Sequence, residues 1–163
     1  MKETSAEPTH VSLFVYGTLK RGQRNHDHFC QGVLAVVEAT VRGRLYGLPL
    51  GFPALVVPQE DVTATGTTNY LADAEKQWNA RFDPTPPLSG WDNVHGEVLT
   101  FDDPGDRLSA LDNLEDFRPD EKGFYERILI PARLVKTGET VPAWAYAVES
   151  ADSVYLPGGS WPL

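Results

Sequence analysis

Residues 33–48, VLAVVEATVRGRLYGL, alternate Val37, Ala39, Val41, Gly43 and Leu45 with Glu38, Thr40, Arg42 and Arg44. A period of two puts the apolar row on one face and the polar row on the other, the pattern of a long strand with one buried side. Shorter runs read the same way. VSLFVYG at 11–17 is apolar, β-branched and aromatic and stops at glycine, as a buried strand entering a loop does. ALVV at 54–57 follows the turn Gly51-Phe52-Pro53, and VHGEVLTF at 94–101 alternates again. YERILIPARLV at 125–135 and TVPAWAYAVE at 140–149 predict a hairpin around Lys136-Thr137-Gly138-Glu139.

One helix stands out among these strands. Asp103 suits an N-cap, Pro104 suits the first helical position, and Leu108, Leu111 and Leu114 recur at helical spacing, which predicts a helix over about 104–115. A second helix is expected from Tyr70 to Phe82, ended by Asp83-Pro84 to Pro87. TLKRGQRN at 18–25 reads as a loop, and 61–69 is rich in Thr, Gly and Asn. Strands outnumber helices and hairpins predominate, so the expected fold is α+β: a small mixed or antiparallel sheet curled toward a barrel, helices on its outside and a pocket at its mouth.

At 163 residues the chain suits one domain, expected over 11–163 behind a flexible polar tail at 1–10, with 59–91 as an insertion. The 23 acidic and 14 basic residues leave a net charge of −9, which repels nucleic acid and anionic membranes, although Lys20-Arg21 with Arg24 form one local basic stretch. No apolar run nears the roughly 20 residues of a membrane span. A single cysteine, Cys30, excludes an internal disulfide, and MKETSAEPTH is unlike a secretory signal, so the expected location is the cytoplasm. His26 and His28 flank Asp27, but His10 and His95 are far from them in sequence, which argues against zinc; Ser and His occur without a nucleophile elbow.

Two places carry chemistry. Residue 115 follows Leu108 by seven and Leu111 by four, so a helix reaching that far turns Glu115 to the same inward face. Burial raises a carboxyl toward neutrality, the condition a general acid/base needs, and carbonyls at a helix end add to it. A solvated or salt-bridged Glu115 at a frayed end is the alternative, and Asp112 and Asp116 have weaker claims. Tyr16-Gly17-Thr18-Leu19-Lys20-Arg21-Gly22 sets glycines around a strand exit, where backbone N–H groups can line an anion-binding concavity. An ordinary turn with a solvated Lys-Arg pair fits the same residues.

The run LFVYGTLKRGQRN at 13–25 resembles the N-terminal signature of the γ-glutamylcyclotransferase-like (AIG2-like) family, most of all its γ-glutamylamine cyclotransferase branch. VRGRLYGL, GFPAL, VHGEVLTF, LSALDNLEDF at 108–117, FYERILI and the closing GGSW follow in that family's order. The resemblance implies a barrel-like α+β fold and release of 5-oxoproline from a γ-glutamyl compound without cofactor or metal. It implies Glu115 as the acid/base, Tyr16, Gly17, Thr18 and Leu19 as the substrate cradle, and Tyr125 as a further substrate contact. Taken by itself Tyr125 reads equally as a packing aromatic. Two features depart from the family pattern: Asp116 stands where glycine is usual, and 59–91 is longer than the usual connection. A small-molecule γ-glutamyl substrate and a monomer or weak homodimer are expected. The alternative is a non-catalytic binding domain that keeps the pocket.

Overall fold

The computed structural model describes residues 10–23, 25–49, 51–82, 90–118, 125–151 and 153–162. Most of the tail, Arg24 and the run Asp83–Pro87 therefore lie outside the described residues, and the helix expected to reach Phe82 ends at Asn79, where Ala80 turns extended. The alternating run at 33–48 forms the longest strand, β2 (Ala35–Gly47), after β1 (Val11–Val15) and a four-residue helix, α1 (His26–Phe29). Then come β3 (Pro53–Val56), a 3-10 turn at Gln59–Asp61, β4 (Ala64–Thr65), α2 (Tyr70–Asn79), β5 (Asp92–Phe101) and α3 (Pro104–Leu114). The hairpin β6 (Glu126–Leu134) and β7 (Thr140–Ala147) follows, and β8 (Val154–Leu156) comes last. α1, β4 and β8 were not read from the sequence. Each has four residues or fewer, too few for a hydrophobic period to show.

Five strands close into a barrel. β2 pairs antiparallel with β5 from Ala35↔Thr100 to Gly43↔Asp92, and β5 pairs antiparallel with β1. β1 runs parallel to β7 at Leu13↔Trp144, β7 pairs with β6, and β6 returns to β2 at Ala39↔Leu134. The far end of β2 leaves the ring and carries β3 on one side and β8 on the other.

Closure explains why β1 and β7 are apolar on both faces, with Ser12 and Thr140 as the polar exceptions. Phe14, Ile128, Ile130, Ala143 and Ala145 belong to one buried cluster drawn from the strands, which fills the barrel. The alternate residues Leu13, Leu129 and Trp144 belong to a second, with Leu108 and Leu111 of α3, which seats the helix on the barrel's outside. Truncating one of these leucines to alanine typically costs about 2–5 kcal/mol. Among the described residues no helix is long and apolar enough to cross a membrane.

Candidate active site

α3 delivers Glu115 by ending rather than by continuing. Pro104 opens the helix as expected, but Asp103 makes no side-chain cap; Arg107 Nε donates to its carboxylate instead, at 3.1 Å. The helix closes at Leu114, and Glu115 is its C-cap, with φ −89° and ψ 5°. Asp116 follows at φ 53°, in the left-handed region. The Phe117 N–H donates to the Asp112 carbonyl at 2.9 Å and the Asp116 N–H to that of Asn113 at 3.4 Å. Together these are the two bonds of a Schellman ending, with aspartate at the position glycine usually fills. Phe117 is buried beyond it, which pins the turn.

That ending leaves Glu115 half-buried, facing a pocket at the strand exit. Burial pushes its carboxyl up to about 7 from its ordinary 4.5, and the helix-end carbonyls are not needed to account for it. Among the described residues no cation pairs with Glu115 to oppose the effect.

Tyr16, Gly17, Thr18, Leu19, Glu115 and Tyr125, all singled out from the sequence, line this one cavity. Its volume is about 40 Å³, room for about three waters or for a carboxylate and the carbon that bears it. The loop 16–25 folds on itself through Lys20 N–H to Gly17 O at 3.1 Å and Asn25 N–H to Thr18 O at 3.0 Å. Asn25 Nδ2 also donates to Thr18 Oγ at 2.8 Å, which leaves the threonine hydroxyl hydrogen available. Among the described residues the N–H groups of Gly17, Thr18 and Leu19 donate to no other group, so they are available to an anion. Gly17 also lets the loop pass close to β3, since a Cβ there would stand 2.6 Å from Pro53 Cγ. Tyr125 is fixed at the same place, its hydroxyl donating to the Pro53 carbonyl at 2.7 Å. Burial first, and then Glu115, push the Tyr125 hydroxyl upward, so it stays protonated at neutral pH.

The sequence reading missed the frame behind the pocket. Tyr16 donates to the Tyr146 carbonyl at 2.5 Å, and the Tyr146 hydroxyl donates to Asp112 Oδ1 at 2.6 Å. Asp112, one turn before Glu115, takes both Arg127 Nε at 2.8 Å and Nη2 at 3.0 Å. Arg127 also pairs with Asp73 of α2 at 3.1 Å, and neither side chain is exposed. The cation is thus clamped between α2, α3 and the barrel, with Trp144 under its guanidinium. A signal was available: Arg127 shares a strand face with Tyr125 and Leu129, where a buried cation demands an internal partner. The identity of that partner is a tertiary fact.

The family model described as "Gamma-glutamyl cyclotransferase, AIG2-like" matches residues 13–84 and 78–163. The gamma-L-glutamyl-butirosin B gamma-glutamyl cyclotransferase of Niallia circulans is 25% identical over 152 residues, 92% of this chain and 74% of that protein. Among solved structures, an AIG2-like protein of Mus musculus aligns with TM-score 0.50 and 23% identity, over 87% of this chain and 80% of that one. An uncharacterized protein of Pyrococcus horikoshii aligns with TM-score 0.52 and 14% identity, over 93% and 89%. At those identities the structural likenesses speak for the fold.

Proposed function

Because the chain belongs to the gamma-glutamyl cyclotransferase, AIG2-like family, we propose that it cyclises the γ-glutamyl group of a small molecule to 5-oxoproline and releases an amine, with Glu115 as the single acid/base. What carries this reading is a carboxyl poised at about 7 that lines the same small pocket as Gly17, Thr18 and Leu19, whose backbone N–H groups donate to no other group among the described residues.

The substrate's α-amine is largely ammonium near neutral pH and cannot attack until it loses a proton. Ionised Glu115 takes that proton, and the freed amine adds to the γ-carbonyl of its own chain, forming the C–N bond of a five-membered ring. Collapse of the tetrahedral adduct breaks the original C–N bond as protonated Glu115 returns its proton to the departing nitrogen, and the ring nitrogen's second proton follows through the same carboxyl to the released amine, which leaves as ammonium. No water is consumed and no protein nucleophile is needed.

The N–H groups of Gly17, Thr18 and Leu19 hold the substrate's α-carboxylate, which fixes a folded conformer that a free γ-glutamyl chain visits rarely. Positioning of this kind lowers a barrier by several kcal/mol. Tyr125, protonated and anchored to Pro53, borders the same space and limits water there. The chemistry stays local, with Asp112 and Arg127 acting only to seat the helix end.

The test is direct. Purified protein incubated with a panel of γ-glutamyl amides and γ-glutamyl amino acids should release 5-oxoproline from at least one. Binding without release across the panel would favour a non-catalytic domain on the same fold.

A further inference from the structure

The pocket does not end at Glu115. A second concavity of about 800 Å³ opens outward from it and shares Thr18, Phe52, Glu115 and Tyr125 with the inner pocket. The carboxyl therefore sits at a seam, with about 40 Å³ on one side and twentyfold more on the other. A substrate whose carboxylate occupies the inner pocket must place its scissile nitrogen near Glu115, so whatever that nitrogen carries points into the outer chamber.

The chamber's walls are mostly apolar. Leu48 and Phe52 come from the β2–β3 turn, Leu114 from the end of α3, and Val148 and Ala151 from the segment after β7. Phe52 is 37% exposed and lines both concavities beside Glu115. Among the described residues the charged side chains that line it are Glu115 and Asp116, both acidic, and no lysine or arginine does so. Asp116 pairs with Arg118 at 3.3 Å, and Arg118 faces a separate groove.

The geometry points to a leaving amine that carries a bulky apolar group, alkyl or aryl, and no carboxylate, seated in the chamber walled by Leu48, Phe52, Leu114, Val148 and Ala151. This rests on the proposed cyclotransfer and narrows its substrate class. An amino-acid leaving group would bring a carboxylate into a largely apolar chamber beside Glu115, with no cation on its wall among the described residues, so desolvation and like charge both oppose it.

Three substrates with one γ-glutamyl head separate the two contributions. γ-Glutamyl phenethylamide and γ-glutamylphenylalanine differ only by the carboxylate, while the phenethylamide and γ-glutamyl methylamide differ only by the apolar group. kcat/KM for the phenethylamide should exceed both others by at least about tenfold, the lower end of what filling an apolar pocket contributes. Equal or faster turnover of γ-glutamylphenylalanine, or of the methylamide, overturns the inference while leaving cyclotransfer intact. Release of 5-oxoproline from none of the three, nor from other γ-glutamyl compounds, overturns both. Ala151→Arg adds a cation to the wall and should cut the ratio of phenethylamide to phenylalanine turnover by at least about tenfold; an unchanged ratio also overturns the inference. Because the ratio is measured within one preparation, partial misfolding of the variant leaves it unaffected.

Discussion

Replacing Glu115 with glutamine removes one ionisable group from a half-buried position while keeping the side chain's volume. The rise from 4.5 to about 7 corresponds, at about 1.4 kcal/mol per pH unit, to about 3 kcal/mol. The folded value lies above the unfolded one, so the native state holds the extra proton between them, and stability falls as pH climbs from about 4.5 to about 7. Glutamine is neutral throughout. Glu115→Gln should therefore match the parent near pH 4.5 and exceed it by up to about 3 kcal/mol at pH 8. Urea unfolding of both proteins across that range measures the difference. Activity should move the other way: kcat/KM of the parent rises about tenfold per pH unit below about 7 and then levels, as the ionised base form fills. The variant should lose at least about a hundredfold and show no such limb. A stability difference that stays constant from pH 5 to pH 8 would show that this carboxyl does not titrate near neutrality. Comparable turnover in the two proteins would remove Glu115 from the chemistry.

Asp116→Gly should stabilise the fold by about 0.5–1 kcal/mol, because the left-handed φ of 53° carries no penalty for glycine. Asp116→Val should destabilise it by about 1–2 kcal/mol, and thermal melts distinguish the two; equal melting would mean that the turn is not left-handed. Gly17→Ala drives a methyl group to within 2.6 Å of Pro53 Cγ and should lower kcat/KM at least about tenfold. Pro53→Ala in the same chain should restore part of that loss, and strict additivity in the double-mutant cycle would deny the contact. Asp112→Ala leaves Arg127 buried beside Asp73 alone and should cost about 3–5 kcal/mol in chemical denaturation, whereas an exposed pair would cost under about 1 kcal/mol.

The strands were legible where the chain alternates. β2 shows a period of two, and Ala39, Val41 and Leu45 are buried as that period requires. β6 and β7 showed as a hairpin because their link, 135–139, is five residues long and ends in Gly138-Glu139. Closure was not legible in detail, since the pairing of Ala39 with Leu134 depends on how far the sheet coils, a property of all five strands together. At the site, helical spacing correctly turned residue 115 inward, but it placed the glutamate within the helix, whereas the backbone bonds of a Schellman turn aim it. That turn hid because its usual marker, glycine, is replaced by Asp116. Arg127 and Asp112 were hidden for a different reason. Each is an ordinary charged residue in sequence, and their importance comes from a contact between a helix and a strand fifteen positions apart.

The parallel pairing of β1 with β7 joins the beginning of the described chain to its final third. Tyr16 and Tyr146, which flank the pocket and share a hydrogen bond, are 130 residues apart. Chain entropy penalises such long closures until the contacts they bring are in place, so they form late. On the ribosome the first strand must wait, its apolar side chains unsheathed, until nearly all of its neighbours have been synthesised. Refolding from urea should accordingly regain helical signal before it regains turnover, and the first catalytic cycle would announce that the ring has shut.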